Sequence, residues 1–250
     1  MEFMIEKLLG FVLVLTRLSA FFLVAPVFSW KTIPVRVKAA FVLLMSIFFV
    51  TINPLSFNTT NISVLESIFL IVSESIYGLA LGIIFVLVFS AVKVSGRIVE
   101  RQMGMAMAET LDPLTEERAQ PLGNLLEIIF ILLFLTANGH HLLLLVVSHS
   151  YQAFPIGTVP TISVLSEGVL SAGSAMLVAA LRLAAPMLAA FLLLLVILAV
   201  FARIMPNMNI LFISFPLRIG LGLLMAAMFL PFINSFVGEF SDWMGELLPL

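Results

Sequence analysis

The stretch GRIVERQMGMAMAETLDP, residues 96–113, decides how the rest of the chain is read. It separates an apolar run near 64–92 from another near 122–150. Its charges are too costly for hydrocarbon, and its methionine, glycine and alanine content does not fit an ordinary solvated loop. If the preceding helix continues past Val92, then Lys93, Arg97, Glu100, Arg101 and Gly104 fall on one stripe, with Val94, Ile98, Gln102 and Met105 on the far side. Arg97 and Glu100, three residues apart, are spaced to pair weakly. The pattern stops at Asp112-Pro113, because proline disfavours helix for the residue before it.

Composition sets the surroundings of this stretch. The chain has 250 residues, 62% hydrophobic and only 10% charged, with mean hydropathy +1.22. Soluble domains carry about 25% charged residues, so this is a membrane-class chain. A net charge of -2 gives no field for nucleic acid, and none is expected as a partner. Cysteine is absent, which excludes disulfides, thiolate catalysis and cysteine-based metal sites. Two glycosylation-type sequons, at Asn58 and Asn61, are of a kind common by chance.

Apolar runs of spanning length lie near 8–28, 37–57, 64–92, 122–150, 169–201 and 210–237. The expected fold is all-α: an integral-membrane-type helical protein of about six long apolar helices, read as one unit over 1–250, with 93–121 as a connecting loop. Glu2 and Glu6 around a single Lys7 do not make a basic signal-peptide start, so the first run is read as a retained span. The third and fifth runs are too long for a perpendicular helix, and Pro186 offers the fifth a kink. With six spans, one set of loops holds Lys31, Arg36, Lys38, Lys93, Arg97, Arg101, Arg118 and Arg203, against Lys7 alone in the other. The positive-inside rule then places 93–121 in the cytoplasm and both termini outside. Ile33-Pro34-Val35-Arg36-Val37 is echoed by Phe215-Pro216-Leu217-Arg218-Ile219, through duplication or through shared helix-start chemistry.

Enzyme signatures are nearly empty. His140, His141 and His149 have no carboxylate at helical spacing and are read as interfacial polar residues, so no metal, cofactor or catalytic residue is expected. Arg17, Glu74, Glu127, Arg182 and Arg218 fall within or beside apolar runs. Such residues either form an ion relay, or sit near span ends, snorkel, or pair across helices and subunits; the second reading is preferred. Gly78 and Gly82 form a GxxxG pattern for close helix approach, and Gly220 and Gly222 are further packing candidates. Met103-Gly104-Met105-Ala106-Met107-Ala108 combines adaptable thioethers with small residues. By spacing alone it is either a hydrophobic seal or an interfacial packing piece.

Gly96, Gln102-Met103-Gly104, Ala108 and Asp112-Pro113 together resemble the signature segment of the FliR family of the bacterial flagellar type III export apparatus. Ala25-Pro26, the run Ile33 to Lys38, Asn138-Gly139-His140, Phe154-Pro155-Ile156-Gly157, Pro206-Asn207-Met208-Asn209 and Phe215-Pro216 match in order, so the resemblance covers nearly the whole chain. It departs at Leu114-Thr115-Glu116-Glu117-Arg118, where the family often carries glycine and small polar residues. The resemblance implies a subunit of the export gate in the bacterial inner membrane, at the flagellar basal body. It implies FliP and FliQ as gate partners, FlhB and FlhA as further partners, and unfolded flagellar proteins as cargo. It also implies that Met103, Gly104, Met105, Ala106, Met107, Ala108, Glu109, Asp112 and Pro113 belong to a plug in the channel. The competing functions are a small-solute secondary transporter and the equivalent subunit of a virulence secretion system.

Overall fold

The computed structural model describes residues 2–26, 28, 33–52, 63–105, 120–158, 162–207 and 209–247. Among these, every regular element is a helix: α1 (Glu2–Val24), α2 (Val35–Ile52), α3 (Val64–Met103), α4 (Pro121–Thr136), α5 (Gly139–Ala153), α6 (Ile162–Ile204) and α7 (Ile210–Leu247). The all-α expectation holds. Five helices are long and apolar enough to cross a membrane, and α4 with α5 makes a sixth if the bent pair is one span. With 40, 43 and 38 residues, α3, α6 and α7 are each about 60 Å long, twice the ~30 Å hydrocarbon core.

Local chemistry sets the helix ends. At the start of α3, Ser63 N–H donates to Glu66 Oε2 at 2.8 Å and Glu66 N–H donates to Ser63 Oγ at 3.2 Å. This reciprocal box satisfies donors that the helix itself leaves open. The Pro34 carbonyl accepts from Val37 and Lys38 N–H and so opens α2, whereas Pro216 of the echoed motif lies inside α7. The two motifs therefore do not share a helix-start role.

The run at 122–150 is not one straight helix. It breaks between Thr136 and Gly139, at Asn138, which adopts a left-handed φ of 60°. Asparagine tolerates that conformation better than most residues. Ala137 N–H still reaches Leu133 O, and His141 N–H reaches Asn138 O, both at 2.9 Å. The corner coincides with a polar interruption of the run, Asn138-Gly139-His140-His141, whose Asn-Gly pair is a turn signal.

Two compact units divide the chain: Met1–Val88, Asn138–Ser174 and Ser241–Leu250 form the first, and Phe89–Ala137 and Ala175–Phe240 the second. In the first, Leu13, Val14, Leu18 and Phe21 of α1 are fully buried. Gly78 and Gly82 of α3 face α1: a Cβ on Gly78 would collide with the Arg17 carbonyl oxygen, and one on Gly82 would lie 2.9 Å from Val24 Cβ. Phe22, Phe28 and Phe41 join α1 to α2 with ring centroids 4.7–5.2 Å apart. Otherwise α2 buries only Val42, Ser46 and Phe49, one stripe at helical spacing, and leaves Leu43, Leu44, Ile47 and Phe48 exposed.

In the second unit, α3 and α4 cross at a pair of glycines. A Cβ on Gly96 would sit 2.7 Å from Gly123 Cα. Beside the crossing, Phe89 packs edge-on against Phe130 and Phe134 at 5.1 and 5.0 Å. Leu192, Leu193 and Val196 of α6, and Phe212 and Phe232 of α7, are exposed. Apolar faces of this extent need lipid or protein cover. Lipid gives helices no hydrophobic reason to associate, so close backbone packing carries the association. Glycine at both crossings follows from that.

Gly78→Ala should lower stability by about 1–3 kcal/mol, because the new methyl meets backbone rather than a flexible side chain. Gly220→Ala, where a Cβ would meet nothing within 4 Å, should be near neutral. Thermal unfolding in detergent separates the two, and equal effects would remove the α1–α3 contact as the cause.

Candidate functional site: a buried guanidinium node and the end of helix α3

Arg17 of α1 and Glu74 of α3 are 2% and 1% exposed, and Arg17 Nε donates to Glu74 Oε2 at 2.5 Å. The remaining donors turn toward the end of α5. Nη1 reaches Ser150 O at 3.2 Å and Phe154 O at 3.1 Å, with a longer contact to Ser150 Oγ, and Nη2 also reaches Phe154 O at 3.1 Å. A helix C-terminus presents unpaired carbonyls and partial negative charge, a natural seat for a cation. Glu74 completes the node by accepting Gly157 N–H on Oε1 at 3.1 Å, and Gly157 itself takes φ 84°. The guanidinium carbon lies 4.6 Å from the Tyr77 ring centroid and 4.4 Å from that of Tyr151. The node therefore fastens the Phe154-Pro155-Ile156-Gly157 turn to two helices, and the paired reading of Arg17 and Glu74 is what the geometry shows.

The second cluster closes α3. The charged stripe is turned largely onto α4 rather than water. Lys93 Nζ meets Glu127 Oε2 at 2.8 Å, with both side chains about a quarter to a third exposed. Arg97 donates to Gln120 Oε1 from Nε at 2.9 Å and Nη2 at 2.6 Å. Glu100, 5% exposed, accepts Leu122 N–H and Gly123 N–H on Oε1. The expected Arg97–Glu100 pairing is therefore replaced: the open N–H groups at the start of α4 take the Glu100 carboxylate, and Arg97 turns to the Gln120 amide just before that helix. Arg101 alone of the four charged stripe residues is exposed.

Gly104, at φ 79°, ends the helix. Its N–H donates to Arg101 O at 3.2 Å and Met105 N–H donates to Glu100 O at 3.3 Å, the bonding pattern of a Schellman cap. Glycine is required there by backbone conformation, since the nearest atoms a Cβ would meet are Phe215 ring carbons at 3.9 Å. Met103 is 1% exposed and fills the notch at Gly222 of α7, where a Cβ would lie 2.5 Å from its Sδ. Met105 is half-buried. Ala106, Met107, Ala108, Glu109, Asp112 and Pro113 lie outside the described residues.

Of the other candidates, Gly78 and Gly82 face α1, Gly222 faces Met103, and Gly220 faces open space. The His140 and His141 rings lie 4.2 Å apart, tilted by 38°. Arg182 is exposed on α6, and Arg218 is half-buried on α7. Sequence reasoning missed Ser150, Tyr77, Tyr151 and the Gly96–Gly123 crossing. Each depends on a partner far away in sequence.

Long apolar helices, with the buried Arg17 and Glu74 paired across two of them, define a polytopic helical protein of the membrane class. The sequence profile of the family described as "Bacterial export proteins, family 1" matches residues 8–243. The chain belongs to that family. It is similar to the flagellar biosynthetic protein FliR of Escherichia coli, 32% identical over 222 residues, covering 89% of this chain and 84% of that protein. The FliR proteins of Pectobacterium carotovorum and Bacillus subtilis are 29% and 28% identical, covering 93% and 90% of this chain and 88% and 87% of their own lengths.

Arg17→Met and Glu74→Leu should each destabilise by about 3–5 kcal/mol, since each leaves a buried charge without its partner. The double substitution should cost clearly less than the two added together. A thermal-shift cycle measures this, and additivity would mean that the pair does not act as one unit.

Proposed function

We propose that the chain is a structural and gating subunit of the bacterial flagellar type III protein export channel, located in the inner (cytoplasmic) membrane at the flagellar basal body. It completes a helical gate with FliP and FliQ and works beside FlhB and FlhA. The gate forms the conduit for unfolded flagellar subunits. The observation that carries this reading is family membership over residues 8–243, and the methionine-rich sequence after α3 supports it.

The end of α3 supports the sealing role. Lys93, Arg97 and Glu100 are bonded to the start and first turns of α4, which leaves Arg101 as the one exposed charge of the stripe beside the methionine run. Gly104 redirects the chain. Met103, packed on Gly222, anchors the run, and Met105, Met107 and the alanines beside them close the passage. An apolar constriction excludes small ions because they cannot shed their hydration there. Flexible thioethers re-close around a passing chain of variable shape. The subunit supplies no catalytic step, and energy comes from elsewhere in the apparatus.

Deleting residues 104–112 should raise small-ion leakage several-fold in growing cells; unchanged permeability refutes the seal. Because the chain has no cysteine, Met105→Cys gives a unique thiol. It should crosslink to an export substrate stalled in the conduit, while Arg182→Cys serves as the reference position.

A further inference from the structure

We infer that Glu100 is a positioning residue that clamps the departing end of α3 to the incoming end of α4, with Arg97 as its second arm. The helix start is the reason. Pro121 at the first position of α4 has no N–H, and Gln120 makes no side-chain cap. The next two donors, on Leu122 and Gly123, point at the Glu100 carboxylate. A helix N-terminus attracts negative charge, so α4 is capped by another helix instead of by its own flanking residue.

The same residue also closes α3, since its carbonyl accepts Met105 N–H at 3.3 Å. Met105 and Leu122 are far apart along the chain, yet both are bound to residue 100. One turn earlier, Arg97 holds the Gln120 side chain through two bonds at 2.9 and 2.6 Å. The Gly96–Gly123 contact lets the helices come close enough for both arms to reach. Burial of Glu100 to 5% keeps water from competing for the carboxylate. The clamp consequently fixes where the methionine run begins and where the chain returns. Its relevance to export rests on the sealing role proposed above, whereas the clamp itself stands on geometry alone.

The test is a spin-label distance measurement on the full chain in its assembled complex, with labels at Met105→Cys and Asn124→Cys. With Glu100 intact, the distribution should be narrow and single. Glu100→Ala should broaden it at least about two-fold, while Glu100→Gln, which keeps an acceptor but loses the charge, should be intermediate. Arg97→Met should broaden it less than Glu100→Ala. If Glu100→Ala does not assemble, the Glu100→Gln and Arg97→Met distributions decide. Widths that match the unaltered chain overturn the clamp. Ion leakage is read on the same variants: broadening without leakage keeps the clamp and removes the seal, whereas leakage without broadening removes the clamp.

Discussion

A guanidinium has five N–H donors and cannot be neutralised in a protein, so burying one obliges the fold to supply acceptors around it. Arg17 imposes that demand from the middle of the apolar helix α1, at 2% exposure. Glu74, the Ser150 and Phe154 carbonyls and the two tyrosine rings answer it. The answer requires α1, α3 and the end of α5 to meet at one place. Gly78 then lets the α3 backbone close onto the Arg17 carbonyl on the same side. Packing and charge therefore specify the same arrangement. In lipid, where apolar faces are interchangeable, such a fixed polar point gives helices a register that hydrophobicity cannot supply.

The end of α3 applies the same logic with weaker groups. Lys93, Arg97 and Glu100 are satisfied one after another along α4, and the small residues Gly96 and Gly123 permit the approach. A helix that would otherwise present its whole charged stripe to water instead turns Lys93, Arg97 and Glu100 toward the start of α4, leaves Arg101 exposed, and ends with a glycine turn and a methionine held on α7. The structural role of the stripe and the proposed sealing role of the following residues are thus two consequences of one arrangement.

The sequence by itself determined the class: low charge, long apolar runs and helix punctuation left all-α membrane architecture as the only economical reading, and the ordered motifs pointed to the export family. The GxxxG spacing at Gly78 and Gly82 was also legible, because it is encoded within a few neighbouring residues, whereas α3 runs on to Met103 into the stretch read as a loop over 93–121 and stops at Gly104 rather than at Asp112-Pro113. Tertiary structure alone decided the rest. Arg97 and Glu100 look like partners along the helix, yet each is claimed by α4. Met103 reads as one of three equivalent methionines, yet the notch at Gly222 sets it apart. The break at Asn138 did have a local signal, the Asn138-Gly139 pair followed by two histidines, which the reading of 122–150 as one apolar run passed over. Local pattern fixes which residues can be helical and apolar; competition among partners distant in sequence fixes which of them meet.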